Sequence, residues 1–519
     1  MIGAPSGAFI VSRRKLLDIR IKEAAPSLGK TYGAVQWIKG SNEKFIIASI
    51  SLLLCKQTHE LIKQQCPHKK VLLITSEDTY VNGVFGRFTE ALEEDWDVIL
   101  ISHVCMEMSY KKGLDFTEWN LIIDEVPNNL VEVSAIKQLV QDETTMLTHY
   151  LVCTGHKVQK GKGTKEIFRL KGGMEKELSE RVDYLKSSGQ KTISSEMKDL
   201  YEYLLLGGAI QRWQEDTNKK EATYLYVKVI NPLELFSTFK RVTLLAANIK
   251  ETLVGVVWSN IFKVGFVPED NIALRYNTLP NTDKISIYPL LPENNNMSRY
   301  VMDKKGNEQG DTVFDMALSV AKNVFGNEVF LYAINNYRDN SLSGGLQIPV
   351  KAHGLNRYSH VHNAVLMFSY NPNDSTREIL EDLAKHFGLK EDIFVQGFIT
   401  TNYFESSFQG CTRLSIRQHD STTPVKILVG DTRCAEYLIR TWFTDAKIDN
   451  SLRMEIYDGR SKNTGRPKKS FPAMFHMSDS ERNKFYKWHR KQGGSFKVDN
   501  TEDCSIVKDW LISYREEHS

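Results

Sequence analysis

Short apolar runs alternate with longer amphipathic stretches through the first half of the chain. Residues 17–23, 45–51, 71–75, 96–101 and 121–124 carry the first pattern and predict strands, while 30–38 and 52–64 carry the second and predict helices. Strands with little polar face need cover on both sides, so the alternation predicts an α/β fold with a parallel sheet between helix layers. The order breaks down from about 155 to 222, a Lys- and Glu-rich segment with one predicted helix at 195–213, which reads as an insertion. Buried-strand character returns at 242–246. A second α/β block is expected from 271 to 449, with strands at 329–334, 364–369, 393–399 and 425–429 and helices at 312–324 and 375–387. The expected domains are 1–265, carrying the insertion, then 266–449, then a small basic region at 450–519.

A chain of 519 residues fits roughly two to four domains. With 41% hydrophobic and 25% charged residues it has the make-up of a soluble globular protein. A net charge of +3 means that any nucleic-acid surface must come from local clustering. Seven scattered cysteines suit a reducing cytosol. Cys55, His59, Cys66 and His68 are of metal-ligating type, but their spacing fits no standard finger and they read as helix and loop residues. The mildly apolar start is followed, not preceded, by Arg13-Arg14-Lys15, so no secretory signal is read there. The longest apolar run, 45–55, falls well short of the roughly 20 residues that a bilayer needs. A soluble, cytoplasmic protein is expected, monomeric or weakly oligomeric.

Candidate chemistry begins at Lys22-Glu23-Ala24-Ala25-Pro26-Ser27-Leu28-Gly29-Lys30-Thr31, between a predicted strand and a predicted helix. A phosphate-binding loop needs that position, where backbone N–H groups and a helix N-terminus converge on the anion. Ala25, Pro26, Ser27, Leu28 and Gly29 would wrap the phosphates of ATP, Lys30 would contact its β- and γ-phosphates, and Thr31 would place a hydroxyl on Mg²⁺. Ala24 stands where the strict pattern has its first glycine. The predicted strand at 121–124 ends in two carboxylates, Asp124 and Glu125. Asp124 can bind Mg²⁺ through water, and Glu125 can orient and deprotonate an attacking water.

With these motifs the chain resembles the superfamily 2 helicases, particularly the compact DEAD-like helicases of phages, over roughly residues 20–445. The loop and the acid pair resemble motifs I and II, the latter reading Asp124-Glu125-Val126-Pro127 in place of Asp-Glu-Ala-Asp. Ala48-Ser49-Ile50-Ser51 resembles motif Ia, and Ile101-Ser102-His103 a later motif that contacts the nucleic-acid strand. Ala246-Ala247-Asn248 sits where the family has Ser-Ala-Thr, with both hydroxyls missing. Ala333-Ile334-Asn335-Asn336 resembles motif IV and His353-Gly354-Leu355-Asn356 motif V. Phe408-Gln409-Gly410-Cys411-Thr412-Arg413-Leu414-Ser415-Ile416-Arg417 resembles motif VI. The resemblance implies two tandem RecA-like domains forming a P-loop NTPase motor. It further implies Gly354 and Asn356 at the nucleotide, Ser49, Ser102, His103 and Asn335 on nucleic acid, and Gln409 facing the nucleotide from the second domain.

Arg413 and Arg417 are four apart and would share one face of a helix. An arginine supplied from a second domain stabilises charge on the transferring phosphoryl by about 10³ to 10⁵ in rate, and Arg417 is the favoured candidate, with Arg413 beside it. Between Arg460 and Lys491 lie ten Lys/Arg and two Asp/Glu, interleaved with aromatics including Phe485 and Trp488. Basic residues neutralise phosphates and aromatics stack on bases. Gly465-Arg466-Pro467-Lys468-Lys469 resembles the extended arms that lie in A·T-rich minor grooves, with a solvated basic linker as the alternative; Arg466, Lys468 and Lys469 would be its contacts. A capped basic helix is expected at 478–491. No Gln precedes Gln36, so the upstream glutamine motif of DEAD-box RNA helicases is missing, which with the arm favours DNA over RNA. The expected activity is an ATP-dependent DNA helicase. A double-strand translocase, an RNA helicase and a non-catalytic DNA-binding scaffold stand as alternatives.

Overall fold

The computed structural model describes residues 17–110, 114–139, 149–159, 163–188, 195–214, 221–338, 342–352, 354–355, 357–418, 420–456, 481, 484–485, 487–488 and 501–518. The first sheet is built from β1 (Asp18–Glu23), β2 (Lys44–Ser49), β3 (Val71–Leu73), β4 (Val98–Ser102) and β5 (Trp119–Asp124), joined later by β11 (Arg241–Ala246) and β12 (Gly265–Pro268). All seven strands run parallel, in the order β12-β1-β11-β5-β2-β4-β3. Helices α1 (Lys30–Lys39), α2 (Leu52–Gln65), α3 (Gly83–Leu92) and α4 (His103–Ser109) connect the early strands. β5 is buried at every position, as a central strand covered on both faces must be. Register aligns the carboxyl ends of the central strands: Ser49 pairs with both Asp124 and Ser102, and Leu245 with Asp124. That edge is where an open α/β sheet takes its ligands.

The insertion differs from the expected one in extent and in content. It starts at Val131, not 155, and is a five-stranded antiparallel sheet in the order β6-β10-β9-β8-β7. Its strands are β6 (Val131–Leu139), β7 (Leu151–Gln159), β8 (Gly163–Leu170), β9 (Ile210–Gln214) and β10 (Glu221–Val229), with helices α5 (Glu175–Ser188) and α6 (Ser195–Leu205). The helix expected at 195–213 ends at Leu205, because Gly207 turns the chain at φ 90° and Ile210-Gln211-Arg212-Trp213 continues as a strand. A sheet with one covered face shows period-2 alternation rather than apolar runs, so polar residues dilute its signature.

The second sheet is β15-β14-β16-β17-β13-β18, again all parallel: β13 (Ile285–Pro289), β14 (Phe330–Ile334), β15 (Gly345–Gln347), β16 (Asn363–Met367), β17 (Val425–Val429) and β18 (Lys447–Ile448). The fold is two tandem α/β domains, each built on a parallel sheet. β12 lies across the expected boundary at 265 and pairs with β1. The strand expected at 393–399 is a helix. With α7 (Leu253–Ile261), α8 (Val313–Phe325) and α9 (Asp374–His386) named in chain order, this segment is α10 (Ile393–Ile399). A short, mostly apolar run does not declare its period. α10 packs on α7 so closely that a Cβ at Gly397 would lie 2.6 Å from Val256 and 3.0 Å from the Leu253 backbone. A π-turn at Thr400–Phe404 then leads into α11 (Glu405–Cys411), and α12 (Thr432–Thr441) follows β17.

Both α/β domains and the insertion belong to one compact unit, Met1–Lys304 with Thr312–Glu455; a second comprises Lys305–Asp311 and Ile456–Ser519. In the second, α13 (Thr501–His518) packs Trp510 against Phe485 and Trp488, with Tyr514 stacked on Trp510. Phe485 is fully buried, so it is core and not the stacking surface expected of it. Of the helix expected at 478–491, residues 481, 484, 485, 487 and 488 are helical. Arg466, Lys468 and Lys469 lie outside the described residues. Among the described residues no helix is long and apolar enough to cross a membrane.

Candidate active site

The chain leaves β1 at Glu23 and enters α1 at Lys30 through a loop with two left-handed positions, Ser27 at φ 76° and Gly29 at φ 90°. Ala24 is not one of them, so the glycine it replaces is not required for backbone conformation here. Its N–H donates to the Ala246 carbonyl at 3.0 Å, which ties the loop to β11. Lys30 is buried at the N-terminus of α1 and its Nζ donates to the carbonyls of Ala24 at 2.6 Å and Ala25 at 3.2 Å. Burial lowers its pKa, against the opposing pull of Glu125, Asp124 and Glu405.

Thr31 Oγ1 donates to Asp124 Oδ2 at 3.2 Å, so the loop and the acidic strand end meet across β11. Burial, reinforced by the charge of Glu125, pushes the Asp124 carboxyl up to about 7, while Lys30 and the Thr31 hydroxyl pull it down. A hydroxyl and a carboxylate side by side are hard oxygen donors, a set that fits Mg²⁺. Glu125 takes φ 71°, uncommon for a non-glycine residue, immediately after the strand, with its N–H held by the Leu245 carbonyl at 2.9 Å. The turn presents its side chain to a cavity closed from the second domain by Thr401, Glu405, Ser406 and Gln409.

Motif VI is not one helical face. α11 stops at Cys411, and the Gln409 carbonyl accepts from Thr412 Oγ1 and Arg413 Nε, both at 3.0 Å, so side chains compete for the groups that would extend the helix. Arg413 lies in the following turn and Arg417 in a short 3₁₀ segment, Ser415–Arg417. The two arginines thereby separate in role. Arg413 is buried and committed to the second domain, its Nη2 on Gln409 Oε1 at 2.7 Å and its Nη1 on the Leu355 carbonyl at 3.2 Å. Arg417 crosses to the first domain and donates from Nε to Ser27 Oγ at 2.6 Å. Burial pushes the Arg413 pKa down to about 10, aided by Arg417, and burial lowers that of Arg417 as well.

Tyr437 and Glu405 escaped the sequence reading of the site, in which Asn248 entered only as the last residue of the altered Ser-Ala-Thr triplet. Asn248 Nδ2 donates across the domains to Tyr437 Oη at 2.9 Å, and Tyr437 donates in turn to the Glu405 carboxyl. Burial pushes Glu405 up to about 8, with the Tyr437 bond opposing and the charge of Glu125 adding. Glu405 precedes Gln409 by one helical turn, a spacing that could have flagged it. Nothing local points to Tyr437.

Of the residues expected on nucleic acid, Ser102, His103 and Asn335 make bonds within the fold. Ser49 is fully buried in β2. His103 is buried with Nε2 3.1 Å from the Asp124 carbonyl. Ser102 caps α4 by accepting from the Cys105 N–H at 3.2 Å. Asn335 is buried and exchanges bonds of 3.1 and 3.0 Å with the Ser369 backbone, stapling β14 to β16. All four sit at strand ends, and Ser102, His103 and Asn335 there bond to backbone groups. Gly354, expected at the nucleotide, faces Ser51 and Leu53 of the first domain at φ 72°, and its carbonyl lies 3.5 Å from Gln57 Nε2. Asn356 lies outside the described residues.

No family model matches the chain, and no curated protein does. Solved structures do. Xpd4 of S. tokodaii is 13% identical, over 83% of this chain and 96% of that one, with a TM-score of 0.44. Dbp5 of S. cerevisiae, bound to RNA and ADP BeF3, is 10% identical over 84% and 85%, with a TM-score of 0.33. A hypothetical ATP-dependent RNA helicase from Sulfolobus tokodaii is 10% identical over 80% and 87%, with a TM-score of 0.22.

Proposed function

We propose that the protein is a nucleic-acid-dependent ATPase of superfamily 2 type, acting as a DNA helicase. The observation that carries the reading is Arg417 of the second domain donating to Ser27 in the phosphate loop of the first. A site assembled from two domains makes hydrolysis depend on their approach, which is what a motor needs. Lys30 is the cation for the β- and γ-phosphates, and the loop from Ala25 to Gly29 supplies backbone N–H groups to them. Thr31 and Asp124 would hold Mg²⁺, which would neutralise charge on the phosphate oxygens. Glu125 takes the proton of the attacking water, and Arg417 stabilises the charge that develops on the phosphoryl. Arg413 holds Gln409 against the same cavity.

DNA is favoured as the track by the likeness of Gly465-Arg466-Pro467-Lys468-Lys469 to minor-groove arms and by the absence of any Gln before Gln36. The ten basic against two acidic residues between Arg460 and Lys491 suit nucleic acid of either kind. The protein is read as cytoplasmic. The test is steady-state ATPase without nucleic acid and with single-stranded DNA, duplex DNA and RNA, alongside strand displacement on a forked duplex. Stimulation by single-stranded DNA and displacement of the fork are expected, and Lys30→Ala should abolish both while leaving DNA binding largely intact. Displacement that survives Lys30→Ala would sink the proposal, and stimulation by RNA alone would reassign the track.

A further inference from the structure

Beside the phosphate loop lies a group of planar side chains to which the hydrolytic reading gives no task. The segment after β12 runs back over the loop, where the N–H groups of Arg275 and Tyr276 both donate to the Leu28 carbonyl, at 2.9 and 3.2 Å. The approach is close enough to require glycine at position 29, since a Cβ there would lie 2.6 Å from Arg275 Cβ. Tyr32 follows Thr31 on α1 and its ring is exposed. The Arg275 guanidinium sits 5.7 Å from the centroid of the Tyr32 ring and 5.3 Å from that of Tyr276. Arg275 is exposed and, among the described residues, makes no ion pair. A guanidinium clamped by its own backbone to a phosphate loop, flanked by phenol rings and without a carboxylate, is arranged for a flat ligand joined to the phosphates.

We propose that Tyr32 and Arg275 form a stacking platform for the base of the nucleoside triphosphate, with Tyr276 supporting the guanidinium. This rests on the ATPase reading and extends it to substrate class. Stacking and cation–π attraction depend on the size of the π-face and little on edge hydrogen bonds. The platform therefore accepts ATP and GTP with similar affinity and pyrimidine triphosphates less well.

The test compares KM and kcat for ATP, GTP, CTP and UTP, and inhibition by inorganic tripolyphosphate, in wild type, Tyr32→Ala, Arg275→Ala and Tyr32→Phe. Tyr32→Ala and Arg275→Ala should each raise KM for the purine nucleotides roughly tenfold, with the change carried in KM rather than kcat. Tripolyphosphate inhibition should not move, because it has no base to stack, and Tyr32→Phe should restore the wild-type KM. An unchanged KM, or an equal loss of tripolyphosphate affinity, would overturn the platform while hydrolysis stands. A wild-type protein that hydrolyses no nucleotide and binds no tripolyphosphate would overturn the ATPase reading and the platform together.

Discussion

Glu405 carries the clearest pH signature in the site. Its folded pKa of about 8 stands above the ordinary 4.5, so between those values the folded protein keeps a proton that the unfolded chain has released. The stabilisation is fully present below about 4.5, declines as pH rises, and is gone beyond about 8. Glu405→Gln keeps a neutral group at every pH. The gap in melting temperature between this variant and wild type should widen in the variant's favour from pH 5 to 8 and then level off. Comparing the two proteins cancels the titration of Asp124, which runs in the same direction. A gap that stays constant across that range would show that the carboxyl is already charged in the fold.

Among the elements, the insertion has a mechanical position that its composition hid. Ser375, Glu378, Asp382 and His386 lie along one face of α9 in the second domain. Lys165 of β8, almost wholly buried, bonds Ser375 Oγ at 3.3 Å and pairs with Glu378; Arg169 pairs with Asp382, and Gly207 abuts the His386 ring. A buried lysine that loses its partner is costly, so this seam should hold the domains at a set separation. Glu378→Ala combined with Asp382→Ala should lower the melting temperature and enlarge the radius of gyration measured by small-angle scattering without nucleotide. An unchanged scattering profile would show that the insertion does not brace the second domain.

Across the whole molecule, the two α/β domains meet through polar contacts as well as through α7 and α10. Arg417 bonds Ser27, Asn248 bonds Tyr437, the Leu253 N–H donates to Thr401 Oγ1 at 2.8 Å, and Arg440 clasps Glu251 with bonds of 3.0 and 2.8 Å. Polar interfaces of this kind suit domains that part and rejoin. Removing the crossing arginine tests whether chemistry needs the joined state. Arg417→Ala should lower kcat by about 10³, and Arg417→Lys should rescue it poorly, because a lysine lacks the planar fork. Arg413→Ala should reduce stability as well as rate, since its guanidinium is bonded within its own domain. If Arg417→Ala turned over normally while Arg413→Ala did not, the two roles would be exchanged.

What the chain declares on its own is the chemistry that is contiguous. The loop from Ala24 to Thr31, the acid pair after β5 and the parallel strands on either side could be read from neighbouring residues, because loop geometry, helix capping and two-sided burial are set within a few positions. Tertiary structure decided the rest. It made a helix of Ile393–Ile399 by packing Gly397 on α7, started the insertion at Val131, buried Ser49, His103 and Asn335, and brought Arg417 to Ser27 across 390 positions of sequence. It also raised Glu405 to about 8 by burying it near Glu125. Burial and partner distance arise from segments remote in the chain, and local pattern carries no record of either.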